Sequence, residues 1–138
     1  TPDVRFDLYG MHDKQPVWAD NFINAISQSK IGLNLSQGKA AKYYSSDRFA
    51  QLIGNGLLVM VDEKTKFGDF FNNDEIILYK DINDLAEKIN KYTYNDSLRK
   101  KIAEKGRNKY FKYFNSTLIA DFIIKKTFSI KHKKFYWE

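Results

Sequence analysis

The apolar positions of this chain keep two rhythms. Val4 to Tyr9, "VRFDLY", alternates apolar with polar residues and stops at Gly10, which predicts a strand. Residues 11–18, "MHDKQPVW", read as a loop. From Asp20 to Ser29 the apolar residues Phe22, Ile23, Ala25 and Ile26 fall at helical spacing. "KIGLNLS" (30–36) predicts a second strand, and "QGKAAKYYSS" (37–46) a loop long enough to have a task. Asp47 to Asn55 predicts a helix closed by Gly54 or Gly56. Leu57 to Val61 is apolar on both faces, as in an interior strand covered by helices. "KTKFGDFF" (64–71) reads as a short helix or turn and "EIILY" (75–79) as a strand. Beyond it the rhythm is helical alone: segments at 83–93, 96–113 and 116–128, with Asn83, Asp96 and Ser116 as N-caps. Each carries an apolar stripe, through Leu85 and Ile89, Leu98 and Ile102, and Leu118 and Phe122.

Strands alternating with helices predict an α/β layer fold with a mostly parallel sheet. Four strands are few for a complete doubly wound domain, so a further N-terminal βα unit is expected outside this chain. The 138 residues suffice for one domain with one core. With no cysteine, disulfides, thiolate metal sites and a cysteine nucleophile are excluded, which fits a reducing compartment. No apolar run is long enough to span a membrane.

The net charge of +6 is uneven. Residues 125–138 hold five lysines against one acid, so the rest of the chain carries only +2. A nearly balanced body argues against nucleic acid, which wants a basic folded face. The tail, "FSIKHKKFYWE" (128–138), joins lysines to Phe128, Ile130, Phe135, Tyr136 and Trp137. That mixture suits an anionic membrane surface, docking onto another domain, or a merely solvated terminus.

The candidate chemistry centres on residues 38–51. In an open α/β sheet, ligands sit beyond the carboxyl ends of strands, where helix N-termini favour anions. The loop before the 47–55 helix supplies Gly38, Lys39, Lys42, Tyr43 and Tyr44, followed by Ser45, Ser46, Asp47 and Arg48. Gly38 permits close backbone approach. The lysines and Arg48 can neutralise phosphate, Arg48 bidentately. The tyrosines can stack on a ring or bond a sugar, and Gln51 can bond hydroxyls. Ordinary chemistry also explains this stretch: Ser46 or Asp47 caps the helix, Arg48 pairs with an acid, and Gln51 is solvated. Other constellations are weak. His12 and His132 lie far apart without spaced partners, so no metal site is expected. No hydrolase elbow or Walker loop occurs. Asp62-Glu63, at a strand's carboxyl end, can face a ligand or cap the next turn.

The ordered segments resemble the C-terminal, donor-binding half of GT-B-fold glycosyltransferases, most closely the glycosyl transferases group 1 and CgeB-like branch. The likeness is carried by "VRFDLYG", "SKIGLNLS", "RFAQLIGNGLLVMVDE", "FFNNDEIILYKDINDLAEKINKY" and "NDSLRKKIAEKGRNKYF", covering residues 4–124. It implies a Rossmann-like nucleotide-sugar-binding domain over 1–124, followed by the basic-aromatic tail 125–138. It also implies a UDP- or GDP-linked sugar donor and no separate cofactor. The diphosphate would sit on the amides near Ser45, Ser46 and Asp47 beside Arg48. The family's acid for the donor ribose falls on Gln51, an amide that bonds hydroxyls more weakly. A second acid of a related branch falls on Tyr43, and the basic pair that many members place early in this half is missing. The catalytic base belongs to an N-terminal acceptor domain of the same chain, so this part alone is expected to be inactive. The acceptor would be a hydroxyl of a bacterial cell-envelope polysaccharide, a lipopolysaccharide or a glycoprotein. The location would be the cytoplasm or the inner face of its membrane. The rival is a non-catalytic α/β module for nucleotide or protein binding. A receiver-like domain would need an acid at the end of strand 30–36, where Asn34-Leu35-Ser36 offers none.

Overall fold

The computed structural model describes residues 3–10, 12–35 and 38–138. Its elements are α1 (Ala19–Ser27), β1 (Ile31–Asn34), α2 (Asp47–Gly54), β2 (Leu58–Asp62), two 3-10 turns (Glu63–Thr65 and Phe67–Asp69), β3 (Ile77–Tyr79), α3 (Ile82–Thr93), α4 (Asp96–Tyr113) and α5 (Ser116–Thr127). The three strands form one parallel sheet in the order β1-β2-β3. Gly32 pairs with Val59, and Val61 with both Asn34 and Leu78. The architecture is a Rossmann-like α/β layer.

β2 is the middle strand and is buried on both faces, as its unbroken apolar run requires. Val59 and Val61 face α1 and α2, packing with Ile26, Phe49 and Ile53. Leu58 and Met60 face α3 and the start of α4, packing with Leu85, Ile89 and Ile102. Truncating a side chain as buried as Met60 costs about 2–5 kcal/mol.

α4 serves both layers. Ile102 and Ala103 belong to one core, whereas Tyr110 and Phe114 reach the other. Gly106 allows this crossing, because a Cβ there would lie 2.1 Å from the Glu75 carbonyl oxygen. α2 ends on Gly56, whose φ of +81° is the left-handed conformation glycine adopts without penalty. The Gly56 N–H donates to Ile53 O and the Leu57 N–H to Leu52 O, closing the helix in a Schellman arrangement.

Three expectations need correction. Residues 4–9 join no ladder; only Val4 is half-buried, against the core that holds Leu58 and Met60, while Phe6 and Tyr9 are exposed. Alternation makes a strand only where the segment pairs with a neighbour, and neither β1 nor β3, the two edge strands, takes it as a partner. The strand 30–36 stops at Asn34; Ser36 and Gln37 lie outside the described residues, as does Met11. The caps of the last three helices are Asp81, Asn95 and Asn115, slightly upstream of Asn83, Asp96 and Ser116. In each, a carbonyl or carboxylate oxygen accepts a first-turn N–H, a reach the helical residues themselves do not have.

The C-terminal segment is packed onto the body. Tyr136 stacks on Tyr113 at 4.4 Å, and Trp137 stacks on Phe114 at 5.6 Å. Glu138 pairs with Lys126 at 2.6 Å. Its carboxyl is pushed down to about 2, first by that lysine and then by the Phe135 N–H.

Candidate functional site

All three strands point the same way, so Asn34, Asp62 and Tyr79 end on one rim of the sheet. The helix after β1 starts at this rim. Its N-cap residue is Ser46, yet the Ser46 side chain does not cap the first-turn amides. The Ser46 hydroxyl is directed instead at Asn34 Oδ1, 3.1 Å away. Asn34 is only 3% exposed, so this bond satisfies a buried amide oxygen at the strand end. Capping by Asp47 is likewise not observed, because Asp47 is the first helical residue. The start of α2 therefore keeps N–H groups available at the positive end of the helix.

Arg48 lies in the first turn and is exposed. Its Nη1 donates to the Leu35 carbonyl at 2.9 Å, which fixes the guanidinium beside the strand end. Pairing of Arg48 with an acid is not found among the described residues. Its other guanidinium N–H groups are further donors that an anion could use. Gln51 sits one turn further on and is exposed.

The loop before α2 is tied to the segment after β2. Asp62 accepts the Lys64 N–H with its carboxylate and the Thr65 hydroxyl with its carbonyl. It thus caps a turn, as one of its two sequence readings has it. Thr65 O in turn accepts the Tyr43 N–H at 2.8 Å. The Tyr43 hydroxyl donates to Asp69 Oδ2 at 2.6 Å, its ring lies 4.9 Å from Phe70, and Lys42 Nζ sits 4.6 Å above it. Tyr43 is therefore a brace as well as a surface, with 43% of it exposed. Tyr44, Ser45 and Lys39 are exposed, and Gly38 has a left-handed φ of +71° with open space around it. The fold brings Ser46 and Arg48 to the β1 end, and ties Tyr43 to the segment after β2.

Sequence reading missed Asn34, Leu35, Thr65, Asp69 and Phe70 as parts of this arrangement. Asn34 had a signal, since a polar residue in an apolar strand end wants a partner. The others act through backbone carbonyls or a contact about twenty-five residues away along the chain, which leave no local pattern.

A cavity of about 320 Å3 lies elsewhere, with Glu63, Ile77, Lys80, Lys88 and Tyr92 in its walls. The Lys88 ammonium there already donates to Asp84 and to the Leu78 carbonyl, both at 2.7 Å. It offers less to an anion than the open first turn of α2. Among the described residues, no group of three or more His, Asp or Glu gathers as metal ligands would. No described helix is long and apolar enough to cross a membrane.

The model of the glycosyl transferase-like family matches residues 1–125. The chain belongs to that family. The match spans every strand and nearly all of α5, so the α2 start lies inside a glycosyltransferase domain. No curated protein and no solved structure matches the chain.

Proposed function

We propose that this domain binds the donor of a GT-B glycosyltransferase, a UDP- or GDP-linked sugar, for transfer to an acceptor hydroxyl. One observation carries the reading. The first-turn amides of α2 are not capped by the Ser46 side chain, at the carboxyl rim of a parallel sheet, with Arg48 anchored beside them. In this reading the amides of Ser46, Asp47 and Arg48 hold the diphosphate. The fixed positive charge of Arg48 stabilises the negative charge that develops on the leaving diphosphate as its bond to the sugar breaks. Gln51 bonds a ribose hydroxyl, and Lys39 and Lys42 add positive potential, with Gly38, Tyr44 and Ser45 completing the loop around the donor. The acceptor and the base come from an N-terminal domain of the same chain, across a cleft, so this part alone transfers nothing.

Contact with an anionic membrane surface on the cytoplasmic side belongs to the same proposal. It is supported by the outward face of α5, where Ile119, Ile123 and Ile124 are exposed, with Lys131, Lys133 and Lys134 following.

The direct test is a titration of the labelled chain with UDP and with GDP. Amide shifts confined to residues 43–51 support the proposal. No shift at about millimolar nucleotide, the affinity scale of a weak half-site, overturns it.

A further inference from the structure

The Tyr43 backbone has a φ of +59°, a left-handed conformation unfavourable for a tyrosine. Such a residue stays there only where its surroundings over-determine it. Tyr43 has three such restraints: its N–H on Thr65 O, its hydroxyl on Asp69, and its ring on Phe70. Two of these belong to the turn 67–70, which is short and half-exposed. That turn is itself held from outside. The Tyr136 hydroxyl donates to Phe70 O at 2.9 Å, and the Phe70 ring meets Phe114 edge-on at 6.1 Å.

Tyr136 is fixed in turn. Its ring stacks on Tyr113 and meets Phe114 edge-on at 5.9 Å, and Lys109 Nζ lies 5.3 Å from its centre. Lys109 is anchored by Glu75 at 2.7 Å, both side chains mostly buried. Burial draws the Lys109 pKa down, but Glu75 and the Tyr136 hydroxyl outweigh it, so the ammonium is held above its ordinary value. A continuous set of contacts therefore runs from the C-terminal segment to the loop three residues before Ser46.

We infer that Tyr136 is a positioning residue for the α2 seat, acting through Phe70 and Tyr43 to hold the loop in its left-handed turn. The C-terminal segment then works as a strap that sets the shape of the donor loop. This rests on the donor reading for its consequence in binding, but the bracing is measurable without any ligand.

The experiment uses the full chain with Tyr136→Phe, Tyr136→Ala, Tyr43→Phe and the double variant Tyr136→Phe/Tyr43→Phe. Lys133→Ala is the tail control. Amide hydrogen exchange is read first without nucleotide. Tyr136→Phe removes only the hydroxyl, so the Tyr43 amide should exchange about fivefold faster, the worth of one net hydrogen bond. Val59 and Met60 should not change, which shows that the sheet is intact. In the double variant the effects on exchange should fall short of additive, since both residues act on one turn. UDP or GDP affinity should fall about fivefold in Tyr136→Phe and further in Tyr136→Ala, with Lys133→Ala unchanged.

An unchanged Tyr43 amide in both Tyr136 variants overturns the brace. Faster exchange with unaltered nucleotide affinity overturns the positioning of the seat. If the unmodified chain binds neither nucleotide, the donor reading fails, and the exchange data alone decide whether the strap holds Tyr43.

Discussion

Two helices start on the same rim of the sheet, α2 after β1 and α3 after β3, and they treat their first amides in opposite ways. At α3 the Asp81 carboxylate accepts the N–H groups of Asn83 and Asp84 at 2.9 and 3.0 Å. Asp84 then accepts the Lys80 N–H and the Lys88 ammonium at 2.8 and 2.7 Å. That start is closed by the chain's own anions and would repel another. At α2 the capping hydroxyl is turned onto Asn34, and the local cation is fixed on a carbonyl instead of an acid. Equal topology gives both starts a helix dipole. What separates the closed start from the open one is where the side-chain oxygens go.

The comparison can be broken by making α2 resemble α3. Ser46→Asp should place a carboxylate over the open amides, and UDP or GDP affinity should drop about thirtyfold. Repulsion between close like charges at partial exposure is on the order of 2 kcal/mol. Calorimetric affinity that is unchanged in this variant would show that the nucleotide does not use these amides. Removing the cation is the next largest step: Arg48→Ala should weaken binding about tenfold, the scale of one hydrogen bond to a charged group. Lys100→Ala, on an exposed face of α4, should leave it unaltered, and equal losses would mean generic charge attraction.

The opposite start responds in stability. Asp81→Ala removes the α3 cap and should cost about 1 kcal/mol, seen as a lower thermal midpoint, with nucleotide affinity intact. Acid sharpens the contrast most gently. Asp84's carboxyl is held below its ordinary value of 3.8, first by Lys88 and then by the Lys80 N–H. A lowered folded pKa gives stability that is complete above the unfolded value and is lost as pH falls through the folded one. Hydrogen exchange at the Lys80 amide should therefore accelerate as pH drops below about 4, beyond the intrinsic trend. An amide indifferent to pH there would remove Asp84 from the closed start.

Periodicity located α2, β2 and the three C-terminal helices, because burial of one stripe or one strand leaves a regular mark in the residues themselves. β3 was legible too, trimmed to Ile77–Tyr79. The alternating Val4–Tyr9 misled, since a strand is defined by a partner that the pattern cannot name. The tail was less legible. Its lysines and aromatics admitted lipid, a partner or solvent, and its rings in fact cover Tyr113, Phe114 and Phe122 of the same body.

By itself the sequence determined the layered α/β class, the buried middle strand, a glycine stop of α2 at Gly54 or Gly56, and the polar residues at the α2 start. These follow from local conformational preference and from which side chains avoid water. Only the tertiary structure decided that Ser46 serves Asn34, that Arg48 rests on Leu35, and that Tyr43 is braced by Asp69, Phe70 and, behind them, Tyr136. Those partners are carbonyls and distant side chains. Their pairing depends on how strands and turns are brought together in space, and a linear pattern carries no record of that.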